Sequence, residues 1–375
     1  MKQRKILIAT DCFLPRLDGI ARFLDLLIPE LSKKYEITVI APRFTGKKPE
    51  YQGVKIIKFP LSLHRFGKLG LADVNVKKLK EEIKKTDIVF VQMIGPIGIY
   101  ATYNAKKYNK TIVNYLHTIE WYLAPKMVRY FRGIIKVMMK KITRYCYNKS
   151  TLLLAPSKEV KNIFLKHKIK TPIKILPLGI QTNKFVPPLN KKNAKIQIGI
   201  PPDYNVIGFI GRIGTLEKDV PTLITAFMKI KKKHPKTKLL LVGKKISNGF
   251  PKNKDIIYAG VKNNVIPYLQ TMDVFVMPSL IETNSLATME AMSTGCAVIA
   301  TRVGSIKEYL VNKTNGLFFP KKDIFILTTK INYLLENEAI RRRLGQNSRQ
   351  TILEKYKWED TVKKMIDVFD KIEIN

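Results

Sequence analysis

The chain has 375 residues, which is long for one ordinary domain. Hydrophobic residues make up 45% of the chain, enough for two cores. Its 68 lysines and arginines outnumber 29 aspartates and glutamates, giving a formal charge of +39. Acids are too few for the matched ion-pair networks of thermophilic proteins. So basic a protein attracts phosphorylated substrates, anionic membranes or nucleic acid, although a compositional bias toward lysine explains the charge equally well.

The cysteines and the apolar runs bear on the cellular compartment. Cys12, Cys146 and Cys296 stand far apart and form no C-x-x-C pair. This spacing argues against a disulfide framework and suits a reducing cytoplasm. The first apolar run is too short for a signal peptide, and glycine and proline interrupt the longest uncharged stretch, between Asp87 and Lys106. We therefore expect no transmembrane segment.

Short β-rich runs alternate with amphipathic stretches in the first half of the chain. This alternation predicts a mostly parallel, doubly wound sheet. The predicted strands are Lys5–Thr10, Ile37–Ala41, Val54–Phe59, Ile88–Gln92, Thr111–Leu116, Thr151–Ala155 and Ile173–Leu176. The predicted helices include Ile20–Lys34, Asn75–Lys85 and Ser157–Lys166.

A proline-rich polar segment at 187–193 interrupts the alternation, as a linker does. Predicted strands resume at Val206–Ile210, Lys238–Val242, Ile256–Tyr258, Val274–Met277 and Ala297–Ala300. We predict an α/β protein of two tandem Rossmann-like domains. The first covers 1–188 and the second covers 189–357, and a last amphipathic helix follows from Trp358 to Ile372. Ligand is expected in a central cleft, at the carboxyl ends of the strands.

Two carboxylates eight positions apart, Glu282 and Glu290, bracket a polar turn that leads into an apolar, helix-forming segment. The run 274–277 predicts a strand before this turn, so the order is strand, loop with Glu282 and helix with Glu290. Free backbone N–H groups at a helix start favour an anion. The arrangement suits a ligand with phosphates and hydroxyls, such as a sugar nucleotide. Two ordinary surface glutamates near a helix start would have the same spacing.

Cations and a histidine follow other predicted strands. Gly211 and Arg212 end one strand, and Lys218 lies six residues later; together they could hold a diphosphate, although basic residues are common throughout. His117 follows another strand, and its neutral imidazole could bond a sugar hydroxyl; alternatively, the histidine is structural. Gly19 opens the first predicted helix, where a ligand could approach the backbone; alternatively, it is an ordinary turn glycine.

Several motifs of other enzyme classes are missing from the sequence. There is no D-x-D, no H-E-x-x-H and no cluster of His, Cys and Asp with metal-ligand spacing, so we expect no metal site. There is also no P-loop and no G-x-S-x-G elbow, which leaves little support for an ATPase or a serine hydrolase.

The segment between Glu120 and Glu159 contains no acidic residue. Apolar side chains recur there at helical spacing: Met127, Tyr130, Phe131, Ile134, Ile135, Met138, Ile142 and Tyr145. Cations fall on the opposite face: Lys126, Arg129, Arg132, Lys136, Lys140 and Arg144. We expect the apolar face of this helix to be buried in the first domain. The alternative is contact with a membrane surface, helped by a basic and apolar loop at 64–71.

Together these features resemble retaining glycosyltransferases of family 4, which have the GT-B fold of two facing Rossmann-like domains. The resemblance extends over nearly the whole chain, and it implies that the C-terminal helix at about 358–375 completes the first domain. It is carried by the order and spacing of Pro15–Gly19, His117-Thr118, 177–187, Gly211-Arg212, Glu217-Lys218, the E-x7-E pattern from Glu282 to Glu290, 295–300 and 315–318. Ser285 stands where the family commonly has glycine.

The resemblance implies specific roles for site residues. Catalysis would involve His117, Arg212, Lys218 and Glu282. The donor would be bound by Gly19, Gly211, Arg212, Lys218, Glu282, Asn284, Ser285, Leu286 and Glu290. It also implies a nucleoside-diphosphate sugar as donor, with no metal and no further cofactor.

The expected function is retaining transfer of a hexose from a nucleotide sugar to a lipid-linked or membrane-associated acceptor. The expected location is cytoplasmic, with peripheral association at the cytoplasmic membrane face. The first alternative is the same chemistry on a soluble polysaccharide or sugar phosphate. A distant alternative is a nucleic-acid-binding protein, which +39 would explain. The sequence carries no recognisable nucleic-acid module, so no nucleic acid is expected as a partner.

Overall fold

The computed structural model describes residues 3–16, 18–46, 49–66, 69–128, 130–245 and 249–374. The chain divides into two units, one of residues 1–177 with 362–375 and the other of residues 178–361. The domain limits expected from the sequence were 188, at the polar linker, and 358, at the start of the last helix. These limits remain a prediction.

The first unit is built on a parallel sheet whose central strands are apolar throughout, because helices cover both faces of such a sheet. Its strands are β1 (Lys5–Ala9), β2 (Glu36–Pro42), β3 (Lys55–Phe59), β6 (Ile88–Val91), β7 (Thr111–Tyr115), β8 (Leu152–Ala155) and β9 (Ile173–Ile175). They lie in the order β3-β2-β1-β6-β7-β8-β9. A separate antiparallel hairpin pairs β4 (Leu61–Phe66) with β5 (Leu69–Ala72).

The described helices of the first unit begin in different ways, and most of them start at a polar cap or at proline. They are α1 (Gly19–Ser32), α2 (Val76–Lys84), α3 (Pro96–Lys107), α4 (Glu120–Met127), α5 (Arg132–Asn148) and α6 (Lys158–Lys166). The side chains of Asn75 and Ser157 accept backbone N–H groups of Lys78 and Val160 at the starts of α2 and α6. These caps satisfy donors that a helix start otherwise leaves without a partner.

The second unit repeats this design. Its strands are β10 (Asn205–Ile210), β11 (Thr237–Val242), β12 (Ile256–Gly260), β13 (Val274–Met277), β14 (Ala297–Thr301) and β15 (Leu317–Phe319). Its helices are α7 (Lys191–Gln197), α8 (Val220–Lys233), α9 (Ile266–Thr271), α10 (Leu286–Ser293), α11 (Ile306–Tyr309), α12 (Ile324–Glu336), α13 (Glu338–Lys355) and the start of α14 (Trp358–Lys371). The strands lie in the order β12-β11-β10-β13-β14-β15.

Two local expectations from the sequence were wrong. The segment 64–71, expected to be a loop, contributes to the β4–β5 hairpin; Gly67 and Lys68 lie outside the described residues. The basic segment after Glu120 forms α4 and α5 instead of a single helix. The first helix ends at Met127 and the second begins at Arg132, and Phe131, just before the second, has a left-handed backbone conformation with φ 57°, which interrupts helical periodicity.

The apolar face expected to be buried on the basic helix is largely exposed. Tyr130, Phe131, Ile134, Met138 and Tyr145 are all exposed, whereas α5 buries Thr143, Cys146 and Tyr147. The prediction failed because helical periodicity identifies an apolar stripe without identifying the surface that meets it. The side chain of Met127 and all of Arg129 lie outside the described part of the chain. None of the described helices has the length and apolarity that a bilayer span requires.

The C-terminal helix α14 returns to the first unit, as the family resemblance implies. The ring of Phe369 is buried and lies 5.1 Å from the ring of Phe90 and 6.0 Å from that of Tyr35. Nearby, the Tyr35 hydroxyl donates to Asp370 at 2.7 Å, and Arg4 donates to the carbonyl of Phe369. Residues 362–371 of the helix therefore complete the core that β1, β2 and β6 begin.

We expect Phe369→Ala to lower the free energy of unfolding by about 3–5 kcal/mol, because it removes a fully buried ring from this core. Urea unfolding followed by circular dichroism measures the change. Phe325→Ala is the matched control, since the Phe325 ring is exposed on α12, and it should change stability by roughly 0.5 kcal/mol or less. Equal losses in the two variants would contradict the proposed packing of α14.

Candidate active site

The strand order of the second unit reverses at β10. This strand pairs with β11 on one side and with β13 on the other, both in parallel. The loops leaving two such strands diverge, which opens a crevice at their carboxyl ends, where ligands of open α/β sheets bind. Residues Gly211 and Arg212 follow β10, and the loop from Pro278 to Glu282 follows β13. The sequence-predicted cations and the first glutamate thus lie at one edge of one sheet.

Glycines allow the backbones to approach closely at this edge. The N–H of Gly211 donates to the carbonyl of Val242, and the N–H of Gly243 donates to that of Gly260, at 2.9 and 2.8 Å. Gly243 has φ 138°, and a Cβ atom there would lie 1.9 Å from the carbonyl oxygen of Gly211. Any side chain at Gly243 would therefore displace the turn that carries Arg212.

Lys218 and Glu282 form the central ion pair of the site. Nζ of Lys218 lies 2.5 Å from Oε1 of Glu282, and the hydroxyl of Ser279 donates to the same oxygen at 2.7 Å. The two charged side chains are only 16% and 8% exposed. Burial makes this pair costly to break, because removing one partner leaves the other charge poorly solvated. The pair also links the loop after β10 to the loop after β13.

Backbone contacts hold the Glu282 loop in place. The N–H of Leu280 donates to the carbonyl of Glu217 at 2.8 Å, and the N–H of Ser305 donates to the carbonyl of Thr283 at 3.2 Å. Gly304 lies against this loop with φ 54°, and a Cβ atom there would be 2.1 Å from the carbonyl oxygen of Glu282. The segment after β14 therefore sets the position of Glu282.

Arg212 forms an ion pair with Glu217, a residue to which the sequence analysis assigned no role. Its Nη2 lies 2.8 Å from Oε1 of Glu217, and about half of the arginine side chain is exposed. A guanidinium carries five N–H donors in a fixed fork, so this one contact leaves most of the fork available to an anion. In the sequence, Glu217 is visible as an acid between Arg212 and Lys218. The spacing of these residues does not indicate that Glu217 pairs with Arg212.

The start of α10 joins the site from the other side. Ser285 precedes the helix with φ −100°, a negative value that a serine adopts without strain. Its hydroxyl bonds the Thr288 hydroxyl at 2.8 Å and leaves the first N–H groups of the helix uncapped by its side chain. Asn284 accepts from the Ser305 hydroxyl at 2.9 Å, and its amide nitrogen finds no acceptor among the described residues. This helix start can therefore receive an anion.

Glu290 and Leu286 lie on α10 itself. Glu290 is only 2% exposed, whereas Leu286 is partly exposed on the first turn. The hydroxyl of Tyr309, on α11, donates to the carbonyl of Ser285 at 3.3 Å and so helps to hold the start of α10. The strand β14 is followed by Gly304, Ser305 and Tyr309. Because ligands of open α/β sheets bind at the carboxyl ends of the strands, this position could have identified the three residues as candidates.

His117 belongs to the first unit, where it follows β7. Its Nε2 lies 2.9 Å from Oε1 of Gln92, which follows the neighbouring strand β6. The imidazole also contacts the rings of Tyr115 and Phe23, with centroids 4.5 and 4.9 Å apart. Burial lowers the pKa of His117 from 6.5 to about 3. Because Gln92 Oε1 can only accept, Nε2 carries the proton of a neutral imidazole.

Gly19 also belongs to the first unit, as the first residue of α1. A Cβ atom there would meet open space, so the backbone is accessible. The carboxylate of Asp18 already accepts the N–H groups of Ile20 and Ala21 at 3.0 and 2.9 Å, and Arg16 lies 3.4 Å from Asp18. An anion at this helix start would therefore compete with Asp18. Leu17, in the same predicted loop, lies outside the described residues.

Asp11 was missed by the sequence analysis although it follows the first strand. Its carboxylate accepts the N–H groups of Gly95, Ile97 and Gly98 at 3.2, 3.0 and 3.1 Å, at the start of α3. Burial raises the pKa of Asp11 from 3.8 to about 6, and these three hydrogen bonds oppose the rise. The residue fixes α3 against the carboxyl end of β1. The sequence could have indicated Asp11 by its position directly after the predicted strand Lys5–Thr10.

The two units divide the predicted site residues between them. The second unit brings together Arg212, Lys218 and Glu282 with the start of α10, and the first unit holds Gly19 and His117. In the parts of both units that the structure describes, no three His, Cys, Asp or Glu side chains converge as metal ligands do. The roles assigned to all these residues remain predictions.

We expect Gly304→Ala to destabilise the protein more than an ordinary glycine substitution does. Both Gly304 and Gly199 have positive φ, but a Cβ atom at Gly199 meets nothing within 4 Å. Gly199→Ala should therefore cost about 1–2 kcal/mol from the backbone alone, and Gly304→Ala roughly 1–3 kcal/mol more from the clash with Glu282. Urea unfolding of both variants measures the difference. Similar losses would mean that Gly304 does not position the Glu282 loop.

We expect the His117 ring to remain neutral from pH 8 to pH 5. The folded pKa lies below the ordinary value of 6.5, so the stability that His117 contributes is fully present above pH 6.5 and is lost as the pH falls toward 3. Relative to His117→Gln, the parent protein should lose about 2 kcal/mol of unfolding free energy between pH 7 and pH 5. An imidazole NMR titration of the folded protein checks the pKa directly, and a midpoint near 6.5 would contradict it.

Two family models match the chain in succession. Residues 17–184 match the model described as Glycosyltransferase Family 4, and residues 190–351 match Glycosyl transferases group 1. Together the matches include every candidate site residue in both units. They follow one another in the order that the GT-B fold requires.

Two curated relatives have similar sequences. The chain is 27% identical over 252 residues to the capsular polysaccharide biosynthesis glycosyltransferase CapM of Staphylococcus aureus, covering 62% of this chain and 65% of that protein. It is 23% identical over 337 residues to alpha-monoglucosyldiacylglycerol synthase of Streptococcus pneumoniae, covering 84% and 75%. The match to CapM thus spans slightly less than two thirds of that relative.

The crystal structure of Anabaena HepE in complex with UDP has a similar fold. The TM-score is 0.77 at 16% identity, covering 98% of this chain and 100% of HepE. Likeness at this identity concerns the fold alone, and it confirms the predicted GT-B class with two Rossmann-like domains. With two family models matching in succession and the same fold in a solved structure, the chain belongs to the group 1 glycosyltransferases.

Proposed function

We propose that the protein transfers a hexose from a nucleoside-diphosphate sugar to a lipid-linked or membrane-associated acceptor, with retention at the anomeric carbon. The observation that carries the proposal is the cluster of Arg212, Lys218 and Glu282 beside the start of α10. It combines cations for a diphosphate with a carboxylate for hydroxyls at one strand edge. The crystal structure of HepE with UDP supports the donor class by analogy.

The leaving nucleoside diphosphate gains negative charge as the bond to the sugar breaks. In our proposal the Arg212 fork and the Lys218 ammonium stabilise this charge, together with backbone N–H groups at Asn284, Ser285 and Leu286. Gly211 keeps the backbone turn close to the phosphates. Lys218 then shares its proton donors between Glu282 and the diphosphate. No metal is needed for this distribution of charge.

The hydroxyl groups of the donor require hydrogen-bond partners of their own. We assign Glu282 to the hydroxyls of the donor sugar and Glu290 to the ribose hydroxyls. In the first unit, neutral His117 offers a hydrogen bond to a sugar hydroxyl, since its low pKa keeps it from acting as a cationic acid. Gly19 leaves backbone space for a ligand. Binding of the donor at these hydroxyls orients the anomeric carbon for attack.

Retention follows if the acceptor attacks from the face that the diphosphate leaves. The acceptor oxygen bonds to the anomeric carbon as the carbon–phosphate oxygen bond breaks. The departing phosphate oxygen then takes the acceptor proton, so no enzymic nucleophile is required. This route accounts for the lack of an assigned nucleophile among the site residues.

The nature of the acceptor has two candidate answers. Similarity to alpha-monoglucosyldiacylglycerol synthase supports a lipid, and similarity to the capsular polysaccharide enzyme CapM supports a glycan. We favour the lipid-linked acceptor because of the exposed apolar and basic surface of α5. A membrane-associated acceptor also fits a peripheral location on the cytoplasmic membrane face.

A donor screen tests the proposed function. Purified protein is incubated with UDP-, GDP- and ADP-sugars, with and without anionic lipid extract, and released nucleoside diphosphate is measured. We expect release from one donor, increased by lipid, insensitive to EDTA and lost in Glu290→Ala. The product should keep the anomeric configuration of the donor in NMR spectra. No release and no donor binding would overturn the sugar-nucleotide assignment, and an inverted product would overturn retention.

We expect Glu282→Gln to lower kcat/KM for the preferred donor by roughly 10²–10³, because it removes a charged partner of both Lys218 and the donor. Lys218→Gln should have a similar effect. The double variant should lose much less than the product of the two, because the residues share one ion pair. Glu338→Gln, which alters an exposed glutamate on α13, is the control and should leave kcat/KM unchanged. Independent, multiplicative losses would contradict a shared function.

A further inference from the structure

Large apolar side chains are exposed just before α5 and along its length. They form what we call the α5 face, with exposed fractions of 65% for Tyr130, 74% for Phe131, 66% for Ile134, 54% for Val137, 43% for Met138 and 50% for Tyr145. Single exposed apolar residues are ordinary on protein surfaces, but six large ones on one helix and the residues just before it indicate an interaction site.

The α5 face is held on a rigid support. The opposite side of the helix buries Cys146 and Tyr147, and the Tyr147 hydroxyl donates to the buried carboxylate of Glu120 at 2.6 Å. The Thr171 hydroxyl donates to the carbonyl of Tyr147 at 2.7 Å, and Arg144 donates to the carbonyl of His167 at 3.1 Å. These contacts fix the second half of the helix.

Cations surround this apolar surface. The exposed ones are Lys126, Arg132, Lys136, Lys141, Arg144 and Lys149, and the sequence from 121 to 158 has no acid to oppose them. Two of them lie over exposed tyrosines: Lys136 Nζ is 5.8 Å from the ring of Tyr122, and Lys149 Nζ is 5.6 Å from that of Tyr145. The surface thus combines aliphatic, aromatic and cationic groups, as membrane-interface helices do.

We propose that the α5 face docks on the surface of an anionic bilayer. Phe131, Ile134 and Met138 would enter the boundary between headgroups and acyl chains, while the surrounding cations contact lipid phosphates. A second copy of the chain fits less well, because two such cationic surfaces repel each other. Nucleic acid would use the cations and leave the aliphatic side chains in water. The proposal extends the membrane-associated acceptor proposed above by naming the surface that would bring the enzyme to it.

Vesicle binding of the full chain tests this proposal without requiring transfer activity. Co-sedimentation is measured with vesicles of phosphatidylglycerol and phosphatidylcholine, with pure phosphatidylcholine as reference. The test variant is Phe131→Ser with Ile134→Ser. The matched control is Leu189→Ser with Phe325→Ser, which removes from the second unit an apolar pair that is more exposed overall. Unfolding curves of both variants confirm that each remains folded.

We expect the parent protein to bind the anionic vesicles, and to lose binding in 0.5 M salt and on pure phosphatidylcholine. The α5 variant should bind at least tenfold more weakly, and the control within about twofold of the parent. Equal binding by the α5 variant and the control would overturn the proposal. So would a parent dimer, seen by sedimentation, that the α5 substitutions dissociate while vesicle binding is unchanged.

The two proposals fail in distinguishable ways. If the parent binds anionic vesicles through the α5 face but releases no nucleoside diphosphate from any donor, the transferase assignment fails and the docking surface stands. If the α5 variant keeps donor turnover and vesicle binding, the docking proposal fails and the transferase assignment stands.

Discussion

The parallel direction of the strands in both sheets determines where charged side chains can gather. A parallel strand must be followed by a crossover, so each strand ends at the same edge of its sheet. Apolar residues fill the strands because helices cover both faces, and polar residues are left to the loops. At β10 the order reverses, and the loops that follow β10 and β13 carry Arg212 and Glu282. The remaining features of the site follow from this geometry.

Charge within the site is balanced locally although the chain as a whole is strongly basic. Arg212 pairs with Glu217, and Lys218 pairs with Glu282, so each of these two cations contacts a carboxylate. If a diphosphate binds here as we propose, it would not need to organise these groups, because the two ion pairs already hold them. Its binding would shift existing contacts, and the buried pair would limit how far Lys218 can move.

Much of the fold and part of the site could be predicted from the sequence. Apolar runs marked the sheet strands, and the spacing from Glu282 to Glu290 marked the loop and helix at the strand edge. The β4–β5 hairpin was missed because its basic and apolar residues do not alternate clearly. The pairing of Arg212 with Glu217 and the hydrogen bonds of Asp11 depend on tertiary contacts, which residue spacing does not encode. For the same reason periodicity could not predict that Phe131 would be exposed.

Ribosomal synthesis delivers the core of the first unit in two parts. Phe369 fits against Tyr35 and Phe90, yet the ribosome makes it only after the whole second unit. At typical elongation rates, roughly 10–40 s separate Pro177 from Phe369. During that interval the nascent first unit exposes the apolar site that Phe369 will fill. The first unit to emerge is thus the last to be completed, and a translational pause within the second unit would prolong the exposure of that apolar site.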